Sequence, residues 1–343
     1  MVKVLFTYYP FSVRYNHGVA LLSSICKKNN IESRILPMQK KWHYLAEITD
    51  YNPDYVCVSI VTKYDYHEAV TVSKYIKERG FKIIVGGVYP RGGAEMDGVF
   101  DYVCRGEAEQ GLVNFLKNRD ISVFKIPERC KDISTLPLPD YSGITGYEFD
   151  RGFPFLLGKK IIPYSSSRGC PYQCNFCEIQ KQPKGVRIKN TIRKDLLYIK
   201  KIFNPELIQF IDELIPYYSD RWCEQLVGNK TPFMASIRAD ISEEKLTFLI
   251  KNGLYSCAFG IESGDERYRN EILKKNLNDS DIYRTVSILN KFKIFYIPFY
   301  IENTPKESKQ IKKKTKSMID RIGGYWVLFE YENLFSNQKY LLN

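Results

Sequence analysis

Two runs of alternating strand and helix patterns, interrupted once by a proline-punctuated stretch, decide what this chain can fold into. In the first run the apolar, β-branched segments 2–8 (VKVLFTY), 54–61 (DYVCVSIV), 81–87 (FKIIVGG) and 99–104 (VFDYVC) read as buried parallel strands. Helical patterns fall at 17–29, 65–79 and 107–118, with Gly80 placed to stop the second of them. Alternation at this spacing predicts an open doubly wound sheet. The first strand is followed by YYPFSVRYNHG rather than G-x-G-x-x-G, which argues against a nicotinamide or flavin dinucleotide.

From 127 to 160 no period is sustained, and Pro127, Pro137, Pro139 and Pro154 mark a linker packed across a domain junction. Alternation then resumes. Strands are predicted near 161–167, 206–212, 232–237, 255–261, 293–301 and 324–331, with helices around 191–203, 218–228, 242–252, 279–291 and 306–321. At roughly 30 residues per unit, the usual size of a βαβ step, this predicts a partial, open (β/α)6 barrel ending close to the C-terminus. The expected division is therefore 1–126, 127–160 and 161–343. A length of 343 residues fits two domains.

Charge adds little. Lys and Arg outnumber Asp and Glu by 51 to 39, an excess that could attract nucleic acid, anionic lipid or an acidic substrate. The basic runs 189–201 and 306–316, however, carry apolar residues at helical spacing and read as outer faces of amphipathic helices. No apolar run approaches the ~20 residues of a membrane span, and the first residues read as a strand rather than a signal peptide, so a cytoplasmic protein is expected.

The sharpest chemical signal is SSSRGCPYQCNFC, which places Cys170, Cys174 and Cys177 as C-x3-C-x2-C just after the first strand of the second run. Three thiolates from one loop can hold three irons of a [4Fe-4S] cluster and leave the fourth iron open. Such clusters usually take four cysteines, so a deficit of one implies an exogenous ligand. A closed zinc site needs four ligands. The histidines His17, His43 and His67 all lie in the other half, and Cys223 and Cys257 are remote. A disulfide fits poorly with a reducing compartment.

This loop at the end of the first strand of a (β/α)6 barrel resembles the radical S-adenosylmethionine (SAM) superfamily. Arg168-Gly169-Cys170-Pro171-Tyr172, with Phe176 before the last cysteine, resembles its class with a cobalamin (B12)-binding domain. NPDYVCVSI (52–60), IIVGGVYP (83–90), DYVCRGEAEQ (101–110) and LPLPDY (136–141) match the front half of that architecture in order, and FIDE (210–213), SIRAD (236–240) and FGIESGDERYRNEI (259–272) match its barrel. The resemblance covers nearly the whole chain. It implies an α/β fold with an N-terminal Rossmann-like, flavodoxin-like doubly wound sheet of cobalamin-binding type, followed by a partial (β/α)6 radical SAM barrel.

It also implies chemistry. SAM would chelate the open iron, and an electron from a donor such as flavodoxin or ferredoxin would cleave its sulfonium to a 5′-deoxyadenosyl radical that takes hydrogen from substrate. By the same resemblance Asp212, Glu213, Arg238 and Glu262 would surround the SAM amino group, carboxylate and ribose, and Phe176 would contact adenine through its backbone, the alternative being simple packing. The residues agree with this: thiolates suit iron–sulfur, and the charged groups follow strands, where barrel enzymes place reactive groups. An alternative is that Arg238 and one carboxylate form an internal ion pair that only orders the barrel. One departure stands out. The family's fifth strand ends in a glycine-containing turn, whereas here YIPFYIENTPKE (296–307) has none, leaving Asn303 and Thr304 to replace the adenine contact.

For cobalamin, the loops holding Ser59 to Thr62, Gly86-Gly87 and Gly106-Glu107 suit a nucleotide tail, since glycine permits close backbone approach. The nearest match to the D-x-H-x-x-G motif of related domains is Asp65-Tyr66-His67-Glu68-Ala69-Val70, which lacks the glycine and follows a later strand. His67 therefore reads as a polar residue at a helix start. The expected function is a cobalamin-dependent radical SAM enzyme methylating an unactivated carbon of an unknown small-molecule or peptide substrate. The alternatives are a cobalamin-independent radical SAM rearrangement, cyclisation, oxidoreduction or sulfur-insertion enzyme with a vestigial front domain, and a basic nucleic-acid-binding module with a structural metal. RNA methylthiotransferases share the barrel but add cluster cysteines in the front domain. Here Cys26, Cys57 and Cys104 sit in helix or strand patterns and read as buried.

Overall fold

The computed structural model describes residues 2–9, 15–38, 41–91, 95–124, 129–143, 153–177 and 185–330. These divide into two compact units: one runs through Lys131 and takes up 135–143, and the other holds 132–134 and 153–330. The proline-punctuated stretch is thus shared between the units.

In the first unit β1 (Lys3–Tyr8), β2 (Glu32–Ile35), β3 (Tyr55–Ser59), β4 (Lys82–Gly86) and β5 (Tyr102–Val103) form one parallel sheet in the order β2-β1-β3-β4-β5. This is the flavodoxin-like order, with a crevice where it reverses between β1 and β3. Strand alternation feeds two cores. Leu5, Val56, Val58, Ile83 and Val85 pack with Leu45 and Ile48 of α2 (Lys41–Tyr51) and Val72 and Ile76 of α3 (Lys63–Glu78). Val4, Phe6, Cys57 and Ile84 pack with Val19 and Cys26 of α1 (His17–Lys28). Leu112, Phe115 and Leu116 of α5 (Gly111–Asn118) complete that second core, and a short α4 (Val88–Arg91) follows β4. As expected, Cys26, Cys57 and Cys104 are buried.

Sequence patterns miss β2, whose ESRI has three polar residues of four because it is an edge strand, and α2, whose apolar stripe is weak. The strand expected at 99–104 shortens to two residues. Asp101 uses its side chain to accept the Ile83 N–H at 2.9 Å and to meet Lys77 and Lys82, which ends the ladder there.

The second unit is a six-stranded parallel sheet, a half-barrel, in the order β13-β12-β11-β10-β9-β6. Its strands are β6 (Ile161–Tyr164), β9 (Leu207–Phe210), β10 (Phe233–Ser236), β11 (Leu254–Glu262), β12 (Phe295–Glu302) and β13 (Val327–Glu330). A two-residue antiparallel ribbon, β7 (Ser167–Arg168) with β8 (Arg187–Ile188), rises after β6. Consecutive strands lie side by side through helices α6 (Ile192–Phe203), α7 (Asp220–Leu226), α8 (Glu243–Lys251), α9 (Glu266–Glu271), α10 (Asp279–Lys291) and α11 (Lys309–Ile322). Asn252-Gly253 ends α8, with Gly253 at φ +104°. On the helix side Phe210 meets Tyr164, Phe233 and the fully buried Trp222 of α7 edge-on. Parallel strands bring their C-terminal ends to one rim, which is where the site lies. Among the described residues no helix is long and apolar enough to cross a membrane.

Candidate functional site

The cysteine loop leaves the rim directly after β6. Its stem is fixed first by hydrogen bonds. Asp212, two residues past β9 and 3% exposed, accepts the Ser166 N–H at 3.1 Å, the Ser166 hydroxyl at 2.8 Å and the Ser167 hydroxyl. The Trp222 indole N–H donates to the same Ser166 Oγ at 2.8 Å. Burial pushes the Asp212 carboxyl up to about 6 although these donors oppose the shift. Glu213 accepts the Gly169 N–H at 3.1 Å. Gly169 sits at φ +95°, and a Cβ there would lie 2.6 Å from the Gly185 carbonyl oxygen, so this close pass requires glycine.

The far part of the loop is held separately. Asn175 donates its backbone N–H to Leu273 O at 3.0 Å and its amide to Ile272 O at 2.9 Å. Cys174 is buried, while Cys170 and Cys177 are partly exposed.

Two cations underlie the loop. The Arg238 guanidinium, 5% exposed, stacks 3.8 Å from the Tyr172 ring centre. It pairs with Asp240 through Nε and Nη2 at 3.0–3.1 Å, and Nη2 also donates to the carbonyls of Lys275 and Asn276 at 2.9 Å. The Lys275 ammonium lies 5.5 Å from the Phe176 ring centre and pairs with Glu262 at 2.7 Å. Burial raises the pKa of the Cys174 thiol, and Lys275 and then Arg238 pull it back down.

The backbone around this pair is unusual. Glu262 stands at φ +69° where the β11–β12 register shifts, and Lys274 and Asn276 stand at +54° and +52° on either side of Lys275. Non-glycine residues held left-handed mark positions that the surroundings over-determine, often functional ones. A Cβ on Gly260 would lie 1.8 Å from Glu262 Oε1 and 2.7 Å from Lys275 Nζ, so glycine makes room for the pair. The segment carrying Lys275 is shaped by the fully buried Arg269, which donates to Leu277 O and Ser263 O at 2.8 Å and pairs with Asp279.

At the end of β12, Asn303 adopts φ +59°, a left-handed conformation that asparagine tolerates, and its side chain accepts from Lys312 at 2.5 Å. Thr304 is buried and shares a 2.6 Å hydrogen bond with the Tyr268 hydroxyl.

The residues singled out by sequence thus fall into distinct settings. Glu262, Arg238 and Phe176 adjoin the cysteines, through Lys275, Tyr172 and the loop itself. Asp212 and Glu213 hold the loop's stem, and Asn303 lies at the end of the neighbouring strand. Sequence patterns pass over Lys275, Asp240 and Trp222. A Lys-Lys doublet after a helix reads as solvated, and nothing local marks the second lysine as buried.

Among the described residues no three His, Cys, Asp or Glu side chains are gathered around a point that one metal ion could occupy. A closed zinc site needs four ligands, whereas a four-iron cluster takes each thiolate on a separate iron, and three soft thiolates on one loop have the donor chemistry for it.

In the first unit the expected cobalamin loops all lie at the C-terminal ends of strands. Ser59 ends β3 and accepts from the Asn16 side chain at 3.0 Å. Thr62 caps α3 in a reciprocal capping box with Asp65. Gly87 stands at φ +106°, and a Cβ there would lie 2.4 Å from Ile60 O, so its glycine serves the chain's own turn, while a Cβ on Gly86 would meet only Cys104 at 3.6 Å. Gly106 follows β5, and Glu107 accepts the Cys130 N–H at 2.9 Å. Tyr64 and Val88, beside the same loops, are about half exposed. His67 is exposed in the second turn of α3.

Residues 12–116 match the B12 binding domain family. An uncharacterized methyltransferase, PH0819, of Pyrococcus horikoshii is 23% identical over 339 residues, covering 88% of this chain and 70% of that protein. The hopanoid C-3 methylase of Methylococcus capsulatus is 25% identical over 223 residues, 57% of this chain but 42% of that protein. Among solved structures, the radical SAM methyltransferase TsrM from Kitasatospora setae, with cobalamin and a [4Fe-4S] cluster bound, aligns with a TM-score of 0.71 at 11% identity, covering 96% of this chain and 75% of its own. The same protein with tryptophan and a SAM analogue aligns at 0.73, again 11% identical, with 96% and 73% covered. The chain therefore carries a B12-binding domain and has the fold of a cobalamin-domain radical SAM protein.

Proposed function

We propose that this chain, a radical SAM-type half-barrel joined to a B12-binding domain, is a cobalamin-dependent methyltransferase that uses a [4Fe-4S] cluster and SAM and methylates an unactivated carbon. The observation that carries the reading is the three-cysteine loop seated over Arg238 and Lys275 at the strand ends of a chain whose residues 12–116 match the B12-binding family. Two methyltransferases among the relatives and the TsrM-like fold support it.

When bound, the cluster and cobalamin supply the difficult chemistry, namely the electron that cleaves SAM and the carriage of a methyl group. The chain's own residues bind and orient. Cys170, Cys174 and Cys177 would hold the cluster. The Glu262–Lys275 pair presents a carboxylate and an ammonium side by side, complementary to the amino and carboxylate ends of SAM. A zwitterion entering there exchanges one internal ion pair for two. Arg238, already committed to Asp240 and two carbonyls, fixes Tyr172 and the segment carrying Lys275. Asn303, left-handed at the end of β12, would offer backbone to adenine. Ser59, Thr62, Gly86, Gly87, Gly106 and Glu107, in the loops that follow β3, β4 and β5, would contact cobalamin. A flavodoxin or ferredoxin would supply the electron.

Incubating anaerobically reconstituted protein with SAM, cobalamin and a reductant is expected to yield both 5′-deoxyadenosine and S-adenosylhomocysteine. The nucleoside alone would overturn methyl transfer and favour a cobalamin-independent enzyme. Neither product would overturn the SAM reading.

A further inference from the structure

The acidic pair that ends β9 is not arranged as a ligand pair. Both lone-pair faces of Asp212 are taken up inside the protein, by one backbone N–H and two hydroxyls of the loop's stem, at 3% exposure. Glu213 holds the backbone N–H three residues further on, that of Gly169, immediately before Cys170. The network reaches further: Trp222, fully buried on α7, braces the same Ser166 hydroxyl, and Lys189 N–H donates to Ser166 O at 2.9 Å from the returning strand of the ribbon.

We propose that Asp212 and Glu213 are positioning residues that clamp the stem of the cysteine loop, so that β9 and α7 set where Cys170 stands. The proposal rests on the cluster reading above and assigns this pair a role distinct from contact with SAM. Its physics is simple. Asp212 satisfies three donors at once in a buried place, and without it these donors have no water to turn to. The stem then gains alternatives, and the first cysteine of the trio loses its fixed starting point. Groups that orient metal ligands in this way typically change metal retention about 10–100-fold when removed. Asn175, anchored to Leu273 and Ile272, would still hold the other end of the loop. The clamp therefore governs Cys170 more than Cys174.

The test uses the full chain, reconstituted anaerobically, in four forms: wild type, Asp212→Ala, Asp212→Asn and the double variant Ser166→Ala/Ser167→Ala. Release of iron to a chelator, SAM affinity per loaded cluster and the thermal midpoint are measured for each. Asp212→Ala and the serine pair are each expected to release iron about tenfold faster. Asp212→Asn, which keeps an acceptor and lets the hydroxyls rotate, is expected to recover most of the retention. SAM affinity should stay within about threefold in all loaded forms, and the low-temperature spectrum of the reduced cluster should broaden in the two fast-releasing variants. Unchanged iron release in both, or lost SAM affinity with unchanged iron release, would overturn the clamp. If Asp212→Ala does not fold, the serine pair, which leaves the carboxylate in place, decides the matter. A wild-type chain that binds no cluster would overturn both this proposal and the function it rests on, whereas a normal wild type with indifferent variants overturns the clamp alone.

Discussion

Serine at Cys170, Cys174 and Cys177 together is expected to reduce SAM cleavage to the level seen without protein, while the far-ultraviolet circular dichroism stays that of the wild type. The three residues lie in a loop between β7 and β8, in no helix or strand, and serine is close to cysteine in size, so even at the buried Cys174 the secondary structure should persist. The chemistry should not. Serine is a hard oxygen donor with a far higher pKa than a thiol, and it cannot replace soft thiolates on iron. Single replacements should separate the roles. Cys174, the buried member flanked by both cations, should be the least tolerant. Product quantification by mass spectrometry after anaerobic reconstitution checks this. Residual 5′-deoxyadenosine from the triple variant would mean that the cysteines do not hold the reacting centre.

Lys275→Met is expected to destabilise the chain by about 3–5 kcal/mol, because it leaves the Glu262 carboxylate buried without a partner. The two side chains are only 10% and 7% exposed, so solvent cannot take over the lost pairing. Glu262→Gln should cost less, since a neutral amide still accepts from the ammonium. The double change Glu262→Gln/Lys275→Met should recover much of the loss, which a denaturant titration of all three variants measures. All three should lose SAM affinity. A stable Lys275→Met variant with normal SAM binding would show that the pair is neither buried in solution nor part of the site.

The halves of the chain differ in how much of their fold was legible. In the half-barrel every strand expected from an apolar run is present, because a strand buried on both faces must be apolar along its length. The front sheet hid its edge strand β2 for the complementary reason: with one neighbour only, ESRI could remain polar. The cysteine loop was legible from spacing, whereas the left-handed turn at Asn303 was not: the missing glycine marked the place, but asparagine accepts φ +59° without requiring it. The rim charges were legible as a set but not by partner. Arg238 does make the internal pair considered as its alternative role, with Asp240, while also stacking on the loop at Tyr172. Lys275 was not legible at all. Its burial follows from Arg269 drawing the 263–279 segment inward and from backbone conformations that no local pattern encodes.

The most direct test of the account is the metal content of the full chain purified without oxygen from cells supplied with cobalamin. The account predicts about four iron atoms with matching sulfide, and about one corrin-bound cobalt, per chain. Zinc in place of iron would contradict the cluster, and iron without cobalt would contradict a working B12 domain.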